Sequence, residues 1–295
     1  MAHQPGALAS NSARLITISL LGEITSPRWG DEYRVGFDGV ARTLPGPGGI
    51  VYDVRVGDPA FGWVGDHVEP GVSIKHHDQR ANNALNVFAC IGNEAVVVSG
   101  AAQGARGVVT GLHGGIEHVI IDFPPEVLEK LVIGDRIQVR ARGQGLALDD
   151  WPRVRIMNTD PRLLEAMGLE ARGDRLAVPV AAIIPAELMG AGIGAPSAER
   201  GDYDLTTQDR AAIAEHGLES LRLGDIVAIR DRSAAYGRTY IRGAMEIGVV
   251  VHTDSFQAGH GPGIVSLITS LDGELEPVLS PDANIARYLQ IRSDI

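Results

Sequence analysis

The chain has 295 residues, 44% of them hydrophobic, with 37 glycines, 16 prolines and a formal net charge of −11. That is enough for one large domain or two ordinary ones with real cores, and Gly and Pro without a period mark a globular chain, not a disordered one. The acidic balance excludes non-specific nucleic-acid binding, which needs clustered positive charge to displace counterions.

The chain begins MAHQPGALASNSARL, without the charged start and apolar stretch of a signal peptide. Short β-branched runs bounded by Gly, Asp and Pro follow, and each reads as a strand: LITISLLGEI from Leu15, IVYDVRV from Ile50, EAVVVSG from Glu94, RGVVTG from Arg106, EHVIIDF from Glu117 and DRIQVRARG from Asp135. The later ones are DIVAIRD from Asp225, AMEIGVVVHTD from Ala244 and GIVSLITSLDG from Gly263. Helices are few and short. They are expected at NNALNVFAC from Asn82, PPEVLEKL from Pro124, Asp160-Pro161 with the following RLLEAMG, TTQDRAAIAEHG from Thr206 and ANIARYLQIR from Ala283. The longest apolar run, LAVPVAAII from Leu176, is far below the roughly 20 residues of a membrane helix. No membrane partner is expected, and the single Cys90 suits a reducing cytoplasm. It reads as a buried structural thiol.

The predicted fold is mostly β, a β-rich α+β chain of two packed β sub-domains, barrel- or sandwich-like, with a few short helices. The DDWP stretch from Asp149 places the boundary, giving sub-domains 1–150 and 151–295. LVIGDRIQVRARG at Leu131 and LRLGDIVAIRDRS at Leu221 echo one another, each turning at Gly-Asp into a strand.

Histidine placement carries the chemical signal. In GVVTGLHGGIEHVIIDF, from Gly107, alternation puts His118 and Asp122 on one strand face, with His113 among glycines just upstream. In the second half His252 and Asp254 share a face, and His260 sits in the crowded turn GHGPG. Neutral imidazole is a ready metal ligand and an acid/base near neutral pH. If the halves pack face to face, these side chains converge. His113, His260 and His252 are then the candidate ligands of a divalent ion, zinc or manganese, and His118, Asp254 and His252 the candidate catalytic groups. The bland alternative is a set of hydrogen-bonded loop and core histidines. Arg238 and Arg242 straddle Tyr240 on one strand, a candidate substrate clamp for an anionic group, or simply partners for surface acids. GDYD from Gly201 offers Asp202 and Asp204 either to a cation or to the N-terminus of the helix after Thr206, and capping is the favoured reading. HHD from His76 reads as a solvated loop, and MGAGIGAPS from Met189 as a tight turn, since no helix follows to complete a dinucleotide fingerprint.

The stretches MGAGIG, GDYDL, LRLGDIVAI, YGRTYIRGA, IGVVVHTDS and AGHGPG, with CIGNEA, VSGAAQGARGVVTG and HGGIEHV in the first half, resemble the prokaryotic domain of unknown function 4438 family. The resemblance runs from about residue 45 onward and implies a mostly β fold, with no activity attached. GIGAPS, GDYD and AGHGPG, in that order, also show a fainter likeness to the acetamidase/formamidase family, which implies hydrolysis. Together these readings predict a metal-dependent hydrolase or lyase acting on a small polar, anionic metabolite, at a C–N or similar bond. The alternative is a non-catalytic protein that binds such a metabolite. Few aromatics and abundant glycine suggest loop-mediated contacts in a homo-oligomer.

Overall fold

Burial alternates along Glu94–Val97 and Arg136–Ala141, with every second side chain buried, as expected where one face of a strand lies on a core. A computed structural model describing residues 8–30, 32–193 and 197–295 places these strands in a closed antiparallel barrel. Its order is Ile18–Ile24, Val72–Lys75, His118–Asp122, Arg106–His113, Glu94–Val97, Arg136–Ala141 and back to the first. Closure leaves no sheet edge open. Every residue of His118–Asp122 is buried, because this part of the barrel also lies under the C-terminal half. A Cβ placed on Gly111 would stand only 3.0 Å from the Cβ of Val251.

The second half is built on an open sheet in the order Ala182–Ile184, Ile226–Ser233, Thr239–Val250, Gly263–Ser270, Tyr203–Leu205, Met189–Ile193, with Arg155–Ile156 also paired to Gly263–Ser270. A three-stranded sheet joins Glu170–Arg172, Arg175–Val180 and Leu275–Leu279. One apolar core runs through both halves, from Ile74, Ile120 and Val139 to Ile226, Ile247 and Val265. The fold is thus β-rich with two sub-domains packed face to face, as the strand runs predict.

The expected helices form at Gln79–Phe88, Pro125–Leu128, Pro161–Ala166, Arg210–Glu215 and Ile285–Tyr288. None among the described residues is long and apolar enough to cross a membrane. Two local expectations need correction, and one apolar run needs dividing. IVYDVRV is not a strand: Ile50 makes one bridge to Val72, and the buried Val54 and Val56 pack into the core from a looping backbone with a turn at Arg55–Asp58. The apolar run from Leu176 divides into two strands belonging to different sheets. MGAGI, expected as a turn, is the edge strand Met189–Ile193. The N-terminal residues 1–7 and the 194–196 part of GIGAPS lie outside the described residues.

Candidate metal centre

The two Gly-Asp turns of the internal echo are built alike, Asp135 accepting the Val132 N–H and Asp225 the Arg222 N–H, and each launches a strand. The strands they lead into carry none of the clustered histidines. Those histidines collect instead at the seam between the barrel and the open sheet.

His67 enters this seam from the loop between Ile50 and Val72. Its backbone is left-handed at φ 54°, a strained conformation for a residue with a side chain. Asp66 Oδ1 lies 3.0 Å from His67 Nδ1. Asp66 is itself held by the Ser255 hydroxyl at 2.6 Å, the Gln257 amide at 2.9 Å and Arg34 at 3.0 Å. Burial raises its pKa, but His67, Ser255 and Arg34 outweigh burial and bring it down to about 2. With Nδ1 facing that carboxylate, Nε2 of His67 points inward, 3.1 Å from Asp204 Oδ2 and 3.1 Å from His260 Nδ1. His260 Nδ1 and Asp204 Oδ2 are 2.7 Å apart.

Alternation in Tyr203–Leu205 does the rest. Tyr203 is buried on the far face, its hydroxyl donating to Glu246 at 2.9 Å and its ring lying under Arg232 and Arg238. Asp202 and Asp204 therefore both project into the seam. Asp202 Oδ1 accepts the Gly114 N–H at 2.7 Å, and Asp202 Oδ2 lies 2.7 Å from His252 Nε2. That contact lacks hydrogen-bond alignment, so both atoms are buried without a hydrogen-bond partner. Asp204 Oδ1 is 3.6 Å from the same nitrogen. His252 Nδ1 donates to the Thr253 carbonyl at 2.9 Å, and His113 Nδ1 to Glu69 Oε1 at 2.6 Å. The rings of His113 and His252 stack at 4.4 Å.

Two groups of potential ligand atoms result, His67–Asp204–His260 and His113–Asp202–His252, each with all its atoms within 4.8 Å. Glu69, fully buried, accepts from His113, His118, the Gly48 N–H and the Ser73 hydroxyl. Burial opposes its charge, yet His118 and His113 hold its pKa well below the ordinary carboxylate range. Burial likewise opposes charge on His252, and the Asp202 and Asp204 carboxylates overcome it, raising the imidazole well above its usual value. Asp204 is depressed in turn: against burial, the neighbouring His252, His260 and His67 imidazoles favour its anion.

Glycine makes the packing possible. A Cβ on Gly192 would lie 2.8 Å from His260 Nδ1 and closer still to Asp204 Oδ2, and one on Gly263 would overlap Asp202 and His252. Over the cluster opens a cavity of about 260 Å³, walled by His67, His113, His260, Asp202, Asp204 and the backbone of Gly114, Gly115 and Gly192. A larger cavity of about 660 Å³ touches Arg55, Arg106, Arg162 and Asp122 and none of these ligand groups.

Of the residues singled out from sequence, His113, His252 and His260 meet here. His113, read as lying among glycines just upstream of a strand, is only 8% exposed and itself ends the strand Arg106–His113. His118 stands behind the cluster against Glu69, with Nε2 buried and without a hydrogen-bond partner. Asp254 is not brought in: the strand ends at Val250, and its carboxylate takes the Thr207 hydroxyl at 2.6 Å and Arg210 at 3.1 Å. Arg238 donates to the Gly201 carbonyl beneath Tyr203, while Tyr240 and Arg242 are exposed. None of the three lines the cavity. The capping reading of Asp202 and Asp204 is wrong, because Asp209 caps Arg210–Glu215. His67 and Glu69 were not anticipated; an Asp-His-x-Glu string in a glycine- and proline-bounded loop is the signal that marks them.

Residues 33–165 match the family model described as domain of unknown function (DUF4438), N-terminal, and residues 166–289 match its C-terminal counterpart. The chain belongs to the DUF4438 family. Its halves, as DUF4438 divides them, meet between residues 165 and 166. The crystal structure of TM1086 is similar to this DUF4438 chain at 46% identity and a TM-score of 0.92, covering 96% of this chain and 99% of that one. No curated protein matches. Neither DUF4438 match concerns the acetamidase/formamidase family.

Proposed function

We propose that this chain is a divalent-metal-dependent hydrolase or lyase acting in the cytoplasm on a small polar, anionic metabolite, at a C–N or similar bond. The observation that carries the reading is the pair of buried atoms His252 Nε2 and Asp202 Oδ2, 2.7 Å apart and without hydrogen-bond partners. Leaving a buried polar atom without an aligned hydrogen bond costs about 1–3 kcal/mol, and an ion held between the two removes that cost. The surrounding chain fits. His67, His113 and His252 each face an oxygen with Nδ1, from Asp66, Glu69 and the Thr253 carbonyl, which fixes the ring and turns Nε2 inward. Ligating histidines are usually held this way.

Imidazole with carboxylate suits zinc or manganese. Such an ion would lower the pKa of a bound water and polarise a substrate oxygen. The chain's own part is to hold the ligands rigid, to supply negative charge from Asp202 and Asp204, and to limit substrate size through a cavity of about 260 Å³. Elemental analysis of protein purified without added metal tests the reading. Bound zinc or manganese, a thermal shift on adding either, and chelator-sensitive cleavage of small anionic amides are expected. Absence of both ion and shift would leave a metal-free metabolite-binding protein as the better account.

A further inference from the structure

Resting on the metal reading above, we infer that the centre is built for two divalent ions, one on His67, Asp204 and His260 and the other on His113, Asp202 and His252, with Asp204 bridging them. The argument begins with what one ion leaves undone. An ion on the first set does nothing for Asp202 Oδ2 and His252 Nε2, which stay buried, 2.7 Å apart and without an aligned hydrogen bond. An ion on the second set leaves His67 Nε2, His260 Nδ1 and Asp204 Oδ2 crowded within 2.7 to 3.1 Å of each other. Ligand atoms at about 2.1 Å from one ion, at tetrahedral to octahedral angles, stand roughly 3.0–3.4 Å apart, close to that spacing.

The two sets are also built alike. Each takes one imidazole from the barrel half and one imidazole and one carboxylate from the open-sheet half. Each barrel imidazole has its own carboxylate behind it, Asp66 for His67 and Glu69 for His113. Asp204 reaches both, with Oδ2 in the first set and Oδ1 at 3.6 Å from His252 Nε2 in the second. A carboxylate used through both oxygens matches ions about 3.5–4 Å apart, the spacing of two-metal hydrolytic sites. Four neutral imidazoles and two carboxylates leave two divalent ions with surplus positive charge, which favours a substrate bearing an anionic oxygen.

The test loads full-length protein with Mn²⁺ alone, removes free ion, and counts bound manganese while recording its electron paramagnetic resonance spectrum. Two ions per chain with an exchange-coupled spectrum are expected. One ion per chain overturns the two-ion arrangement but leaves the single-ion function intact, whereas none overturns both. Two ions with uncoupled spectra overturn the Asp204 bridge. His260, at the mouth of the site with a third of its side chain exposed, provides a variant that should fold. His260→Ala should keep its fold by circular dichroism and bind one ion in place of two; a folded variant holding two ions, or none, overturns the assignment of separate sets.

Discussion

Replacing Glu69 with Gln keeps shape and removes charge at the residue that supports one of the ligand sets. In the wild type its two oxygens accept from two imidazoles, one backbone N–H and one hydroxyl, all buried. A glutamine amide presents –NH₂ where one oxygen stood. Ser73 can rotate its hydroxyl to accept, but two N–H donors are left facing a donor. At about 1–3 kcal/mol for each unmet buried group, the loss is about 3 kcal/mol. An unfolding entropy of about 2.1 cal/mol/K per residue over 295 residues converts this to a Tm drop of about 5 °C. Because the Glu69 pKa is depressed on folding, its contribution is present above the unfolded value and fades as pH falls through the folded one. The deficit should therefore be constant from about pH 5 to 8. Freed from its carboxylate, His113 should also lose orientation, weakening metal binding about 10–100-fold. Thermal melts of metal-free protein and chelator-competition titrations measure the two effects separately. A variant with wild-type Tm and wild-type metal affinity would refute the claim that Glu69 fixes His113 for coordination.

His252 is raised well above the ordinary imidazole range by Asp202 and Asp204 against burial, which favours its protonated form without metal, and it must release that proton to ligate. Calorimetry in buffers of different ionisation enthalpy should show proton release, with affinity climbing as pH rises; heats independent of buffer would count against ligation by His252. Gly192→Ala pushes a methyl against Asp204 and His260, and should weaken metal binding tenfold or more by chelator competition. Unchanged affinity would mean that the edge strand does not pack on the ligands as described. Asp122, buried beside Arg55, has its pKa raised to about 6 by burial, so the stability it contributes is complete below about pH 4 and declines as pH rises through 6. Asp122→Asn should escape that decline and gain on the wild type between pH 4.5 and 7.5, by at most about 3 kcal/mol in urea unfolding. An identical difference at both pH values would contradict it.

Much of the fold was legible because β-branched runs and capped helices are local signals; His113 and His260 were legible through their glycine neighbours, and His252 through its place at the end of a valine run. His67 was not, for a physical reason. Its loop has no periodicity, and its role arises from a left-handed backbone and from contacts to residues 204 and 260, far along the chain. Asp202 and Asp204 looked like caps because TTQDRAAIAEHG suggests a helix from Thr206. The helix begins at Arg210, and Asp209, next to it, takes the capping role. Asp254 shares a face with His252 only if the strand continues, and it ends at Val250, after which the backbone bends toward Ala60 and Arg210. Tyr240 and Arg242 read correctly as strand residues, but their end of Thr239–Val250 is exposed and away from the seam.

Neither sub-domain owns a complete set of the candidate ligands. The barrel emerges first during synthesis, carrying His67 and His113 but no carboxylate from 202 or 204 to complete the coordination. On the proposed reading, metal capture would be the closing event of maturation, after both parts have docked, and a truncated or half-made polypeptide would be spared from seizing ions it cannot use.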